Sequence, residues 1–212
     1  VAESFIKGFV SEELFNQIET IELLDKEFIS KKYQTFTGDL IQKIKLKHGE
    51  IYLFLLFEFK WKDEKGLALD LLNNICLFYK RLLKTKKYDF PLPPLLPIVI
   101  YNGEKKLKSA REFSELIEKN IGVVERYIPK FEYFLIDLTQ LDSVQLRELI
   151  EGKKNEAALF FSIEKIDGNR LEDLLKYIKI IKDHISKEVR ETLTEYLTVI
   201  LSSNPNIPEE LK

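Results

Sequence analysis

The strongest pattern in the chain is the stretch Ile51–Lys60, IYLFLLFEFK, which runs apolar from Ile51 to Phe57 and then brings in Glu58 and Lys60. An unbroken apolar run bounded by a turn signal, here His48-Gly49, predicts a strand buried on both faces. Side chains alternate along a strand, so Glu58 and Lys60, separated by one residue, are expected on the same face. A charge that directly follows a buried strand needs a partner or a task.

The preceding segment alternates. Phe36, Leu40, Ile44 and Leu46 fall on one face, and Thr37, Asp39, Ile41, Lys43 and Lys45 on the other, with Gly38 and Gln42 interrupting the apolar face. With His48-Gly49 between the two runs, a hairpin is expected. A two-residue loop pairs Lys47 with Glu50. A four-residue loop that pairs Leu46 with Ile51 keeps the same step, and only a bulge breaks it. Followed along the hairpin, that register sets Asp39 directly across from Glu58. Cross-strand neighbours have Cβ atoms about 4.5–5.5 Å apart, and two carboxylates at that distance repel unless something positive lies between them. A divalent cation meets that need.

Elsewhere the pattern is mostly helical. Ala2–Phe9 and Glu12–Thr20 read as short helices with a cap at Ser11, and Ile21–Ile29 as extended or irregular. Leu67–Lys84 carries a clear stripe (Leu67, Leu71, Ile75, Phe78, Leu82) closed by Lys80, Arg81 and Lys84. The four prolines of 91–97 exclude a helix there. Pro97–Tyr101 reads as a buried strand stopped by Asn102-Gly103, Ser109–Lys119 as a helix, and Phe131–Leu138 as a strand. Beyond Thr139 come a helix capped at Asp142-Ser143 and running to Glu151, a second over Asn155–Ile163, and a long one over Arg170–Leu201. The expected fold is α/β: a mixed sheet flanked by helices over residues 1–140, then a helical C-terminal extension over 141–212.

Composition narrows the partners. The chain has 212 residues, 45% of them hydrophobic, enough for a sizeable core. Lys+Arg 33 against Asp+Glu 35 leaves a net charge of −2, so any nucleic-acid contact must come from a local patch. Lys43, Lys45, Lys62 and Lys65 lie near the proposed site, with Lys84, Lys86 and Lys87 further on, and are the expected phosphate contacts. The lone cysteine, Cys76, sits among Ile75, Leu77 and Phe78 and reads as a buried small hydrophobe, which fits a cytoplasmic protein. No apolar run approaches the length of a membrane span. The chain opens on Val1 and contains no Met, so an upstream piece is expected. The last long helix, with Leu171, Leu174, Ile178, Ile181 and Ile185 on one side, is expected to dock on the core or to pair with a second subunit.

Asp39, Glu58 and Lys60 are the candidate chemistry. Two carboxylates with backbone carbonyls and water suit Mg²⁺, which neutralises phosphate charge and lowers the pKa of water. Lys60 is placed to hold or activate that water. The alternative is an Asp/Glu/Lys salt cluster at the solvated end of a hairpin. Gln42 is read as a structural hydrogen-bonding residue, Trp61 as packing on the sheet, and His48 and His184 as surface. Two histidines and one cysteine, scattered along the chain, make no zinc site.

The arrangement of Asp39, a hairpin, and Glu58-Phe59-Lys60 at the end of an apolar strand resembles the PD-(D/E)XK nuclease core. The ordered blocks from Gly38-Asp39-Leu40 through LFLLFEFK, LLNNICLFYKRLLK, PIVIYNGE and FEYFLIDL resemble the Rpn family of recombination-promoting nucleases, also described as YhgA-like putative transposases. The likeness extends over roughly residues 1–140. It implies a restriction-endonuclease-like fold and a metal-dependent DNA endonuclease linked to recombination or mobile elements, with Mg²⁺ or Mn²⁺ as cofactor. By motif, Asp39, Glu58 and the Phe59 backbone carbonyl match the metal ligands, and Lys60 the motif lysine. Two positions depart from the family. Lys60 stands where members often carry Gln, and Asn73-Asn74 where they usually carry an Arg-aromatic pair. No first-helix acidic role is carried over to Glu3, Glu12 or Glu13. The competing reading is a non-catalytic DNA-binding or protein-interaction module that keeps the nuclease-like fold.

Overall fold

The computed structural model describes residues 1–24, 40–47, 52–60, 62–118, 122–165 and 171–203; Asp39, the His48-Gly49 turn and Trp61 lie outside these. Strands β1 (Ile18–Leu23), β2 (Leu40–Leu46), β3 (Tyr52–Lys60), β4 (Leu95–Tyr101) and β5 (Phe134–Asp137) form one five-stranded sheet in sequence order. The helices are α1 (Ala2–Phe5), α2 (Glu12–Gln17), α3 (Leu67–Lys84), α4 (Ser143–Lys153), α5 (Glu156–Glu164), α6 (Leu171–Ile181) and α7 (Lys187–Ser203). The chain divides into a sheet unit, Gln17–Thr139, and a helical unit made of Val1–Asn16 and Gln140–Lys212. Residues 1–16, which the sequence groups with the sheet, thus cluster with the C-terminal helices.

In the sheet unit, β1–β2 and β2–β3 are antiparallel while β3–β4 and β4–β5 are parallel. The sheet is therefore mixed, with β3 at the change of direction. Helix α3 makes the crossover to β4, as parallel neighbours require. It spans the residues its stripe predicts and buries Leu67, Ala68, Leu71, Phe78 and Leu82. These pack with Ile41, Val99, Tyr101, Leu107 and Tyr133. Each large side chain so buried contributes about 1.5–3 kcal/mol.

Several expectations fail for identifiable reasons. Cys76 is exposed, not buried. It lies one residue beyond Ile75, about 100° around the helix from the stripe, so its apolar sequence neighbours are not its neighbours in space. The helix expected to run to Thr20 ends at Gln17, and the chain becomes edge strand β1. Ser109–Lys119 is not an α-helix; its regular part is the 3₁₀ turn Phe113–Leu116, closed by a Glu112/Glu115 capping box. Glu112 also bridges to Glu132, which competes with helix formation.

In the helical unit, α1 continues as a π-helix, Ile6–Val10, and Ser11 caps α2 by accepting from the Leu14 N–H at 3.1 Å. The rings of Phe5 and Phe9 meet Phe161 of α5 edge-on, at 6.2 and 4.8 Å between centroids. Asn155, 4% exposed, caps α5 by accepting from the Ala158 N–H at 2.9 Å and donates to the Ser4 carbonyl at 2.7 Å. A Cβ on Gly8 would collide with that amide, so this position requires glycine. The long helix expected over 170–201 is two helices. Ser186 stops the run, its Oγ accepting from the Val189 N–H at 3.2 Å as a new N-cap. Among the described residues, no helix is long and apolar enough to cross a membrane.

Candidate active site at the carboxyl ends of the parallel strands

The hairpin register is the one the turn signal predicts. Pairs run in step from Lys45–Tyr52 to Leu40–Phe57, and the irregularity of this part of the sheet lies instead between Ile18 and Thr20 of β1. Asp39 immediately precedes Leu40 and lies outside the described residues, so its place opposite Glu58 belongs to the proposal below. On the other side of β3, Glu58 pairs with Val99 and Lys60 with Tyr101. Tyr101 pairs in turn with Asp137. Lys60, Tyr101 and Asp137 therefore form one row across the carboxyl ends of three parallel strands, where α/β sheets commonly bind ligands. The Lys60 carbonyl accepts from the Asn102 N–H at 2.8 Å. Carbonyls alternate along a strand, so that of Phe59 turns toward the β2 side.

The Lys60 ammonium donates to Glu64 at 3.0 Å, and its side chain is 18% exposed. The turn carrying Glu64 is clasped to the loop after β4. Asp63 accepts from the N–H groups of Lys108 (3.1 Å) and Ser109 (2.9 Å) and from the Ser109 hydroxyl. That hydroxyl also lies 2.8 Å from the Glu64 carbonyl. The same loop is held from the other side by Asp137, which accepts from the Leu107 N–H at 3.1 Å and from the N–H and hydroxyl of Thr139.

These contacts shift the local acid-base chemistry. The Ser109 hydroxyl, with the Lys108 and Ser109 N–H groups, holds the Asp63 carboxyl below its ordinary value. Burial raises the Tyr101 phenol, with the negative charges of Asp63, Asp137 and Glu104 adding to the effect. Burial pushes Tyr133 up to about 12. Tyr133 is 1% exposed, and its hydroxyl has no hydrogen-bond partner among the described residues. Both tyrosines are thereby held neutral.

The expected phosphate contacts separate into two groups. Lys43 pairs with Glu22 at 3.9 Å and Lys45 with Glu19 at 2.8 Å, both across to β1. Lys43 is also four residues along β2 from position 39, about 13 Å at strand rise. Lys62 and Lys65 are exposed in the turn beside Lys60. Gln42 Oε1 is buried without a partner among the described residues. His184 is exposed, as expected. Among the described residues, which do not include Asp39, no group of three or more His, Cys, Asp or Glu is placed to hold a metal. Asp63, Ser109 and Asp137 are additions that the sequence reading did not single out. Asp63, three residues past the motif lysine Lys60, was the available signal.

A family model described as "Putative transposase, YhgA-like" matches residues 1–195. The chain belongs to this family. Among curated relatives, this YhgA-like chain is 20% identical over 216 residues to "Recombination-promoting nuclease RpnD" of Escherichia coli O157:H7, covering 92% of the chain and 78% of that protein. It is 21% identical over 178 residues to "Inactive recombination-promoting nuclease-like protein RpnE" of Escherichia coli strain K12, covering 76% of the chain and 58% of that protein. The chain thus spans little more than half the length of the second relative. No solved structure matches it. The YhgA-like family accounts for the recombination and nuclease vocabulary; one of these relatives carries an active name and the other an inactive one.

Proposed function

We propose that this chain is a metal-dependent DNA endonuclease that hydrolyses phosphodiester bonds, built on a restriction-endonuclease-like sheet. One observation supports the reading: the β2–β3 register stays in phase to Leu40–Phe57, and one further step of the same register would set Asp39 opposite Glu58. Asp39, Glu58 and the Phe59 carbonyl form an all-oxygen donor set, the kind that Mg²⁺ or Mn²⁺ takes, and the carbonyl's turn toward β2 fits it. When bound, the cation supplies charge neutralisation at the phosphate and a lowered pKa for water. The protein's own residues do the rest. Lys60 is on the same face two residues on; it orients the attacking water and donates to the scissile phosphate. Glu64 tethers that ammonium.

Incubation with supercoiled plasmid tests this. Nicking is expected with Mg²⁺ or Mn²⁺ and not in EDTA, and is lost in Asp39→Ala and Glu58→Ala. Cleavage that persists in EDTA or in both variants rules the metal mechanism out. The second reading, a non-catalytic DNA-binding or interaction module, draws support from the inactive name of one relative. DNA binding without cleavage under any divalent cation would establish it.

A further inference from the structure

We propose that double-stranded DNA is gripped by a cationic rim made of two loops, residues 62–66 after β3 and 104–111 after β4, and not by the strand lysines Lys43 and Lys45. The inference rests on the DNA reading above and names the surface that reading lacks. Lys62, Lys65, Lys105, Lys106, Lys108 and Arg111 are all exposed. The two loops are far apart in sequence, but the Asp63–Ser109 clasp joins them directly, with Lys108 itself donating its N–H to Asp63. They leave the same end of the sheet as Lys60, so the rim borders the candidate site.

Most acids in and beside these loops are already engaged. Asp63 is used by the clasp, Glu64 by Lys60, and Glu112 by its capping box. Glu104 is the exposed acid that remains. The rim therefore keeps a cationic excess on a chain whose net charge is −2. At the opposite end of β2, Lys43 and Lys45 each face a β1 glutamate. Clustered surface cations track phosphates through counterion release, whereas lysines already neutralised have fewer ions to release. Exposed side chains on loops held by backbone hydrogen bonds also keep a fixed spacing, which suits the regular phosphates of a duplex.

The test measures binding of a fluorescein-labelled DNA duplex by anisotropy with Ca²⁺ in place of Mg²⁺, across about 50–200 mM NaCl. The triple variant Lys105→Ala/Lys106→Ala/Lys108→Ala should bind about tenfold or more weakly at low salt, with a salt slope shallower by up to about 3. Lys43→Ala/Lys45→Ala should stay within about twofold of the parent. Circular dichroism confirms that both variants fold. Parent-like affinity in the triple variant overturns the rim, as does a larger loss in the strand variant, tighter binding of an RNA hairpin than of the duplex, or no duplex binding by the parent. A plasmid assay on the same proteins separates the two claims. A parent that binds through the rim but never cleaves removes the nuclease and leaves the rim. Cleavage and binding untouched by the triple variant remove the rim and leave the nuclease.

Discussion

The two ends of the central hairpin carry the same residue type in opposite settings. From the middle of β2 toward Leu46, Lys43 and Lys45 face glutamates on β1 across ordinary edge-strand pairs. At the carboxyl end of β3, Lys60 faces Glu64, and the two loops that follow put their acids to structural use while their lysines stay exposed. The first end spends its charges on pairing strands. The second spends its carboxylates on holding backbone N–H groups, which leaves cations over. A lysine's availability to a phosphate is therefore set by what the opposing acids are already doing, not by its distance along the chain from a motif.

The sharpest way to break this contrast is Lys60→Ala, expected to lower plasmid cleavage by about 10²-fold or more while duplex affinity in Ca²⁺ stays close to parent. If Lys43→Ala matches that loss, the two ends are functionally alike. Next in size is Tyr133→Phe. Removing a buried hydroxyl with no partner among the described residues should raise stability in urea melts by about 1–3 kcal/mol. A loss would mean that the hydroxyl is bonded in solution. Asp63→Asn is expected to lower the melting temperature at pH 7. Its folded carboxyl lies below the ordinary value, so its stabilisation is complete above the unfolded pKa of about 3.9. The stabilisation is lost as pH falls through the lower folded value. The gap between variant and parent should thus close in the acid range; a gap that stays constant with pH would show that charge is not its cause. The smallest effect belongs to Glu19→Gln/Glu22→Gln, worth no more than about 1 kcal/mol of stability per surface pair. A loss well above that, read in urea melts, would show that these pairs do more than join strands at the surface.

What the sequence made legible was local and periodic. The span of α3 follows from its stripe, and the hairpin register from His48-Gly49 between an alternating run and an apolar one. Asp142 announced itself as a helix cap and accepts from the Val144 N–H, whereas Asn155, read as the first residue of its helix, is in fact the cap. The failures share a physical cause, namely partners remote in sequence or signals too short to outweigh a longer pattern. β1 is hidden because IETIEL spaces its isoleucines and its glutamates three apart, a helix-like period rather than a strand's alternation, and without β1 the glutamates opposite Lys43 and Lys45 were not visible. Ser186 lies inside an otherwise continuous apolar stripe, so one capping side chain divides a helix that periodicity extends. Asp63 and Ser109 are 46 residues apart, and no local pattern links them. The motif triad is the mirror case. It was named from register and resemblance, and the part of that register that is described, Leu40–Phe57, agrees with it.

The double anchoring of the loop after β4 has a consequence for handling the protein. Leu107 is tied to Asp137 and Ser109 to Asp63, while Asn102 is tied to Lys60. Glu104, Lys105 and Lys106 lie between those ties, exposed. A break in the chain there would leave both new ends fastened, so a tryptic nick should yield two fragments that stay together. The same three residues are the place to insert a reporter peptide or to open new termini, because exposed loop tips with secured flanks tolerate such changes best.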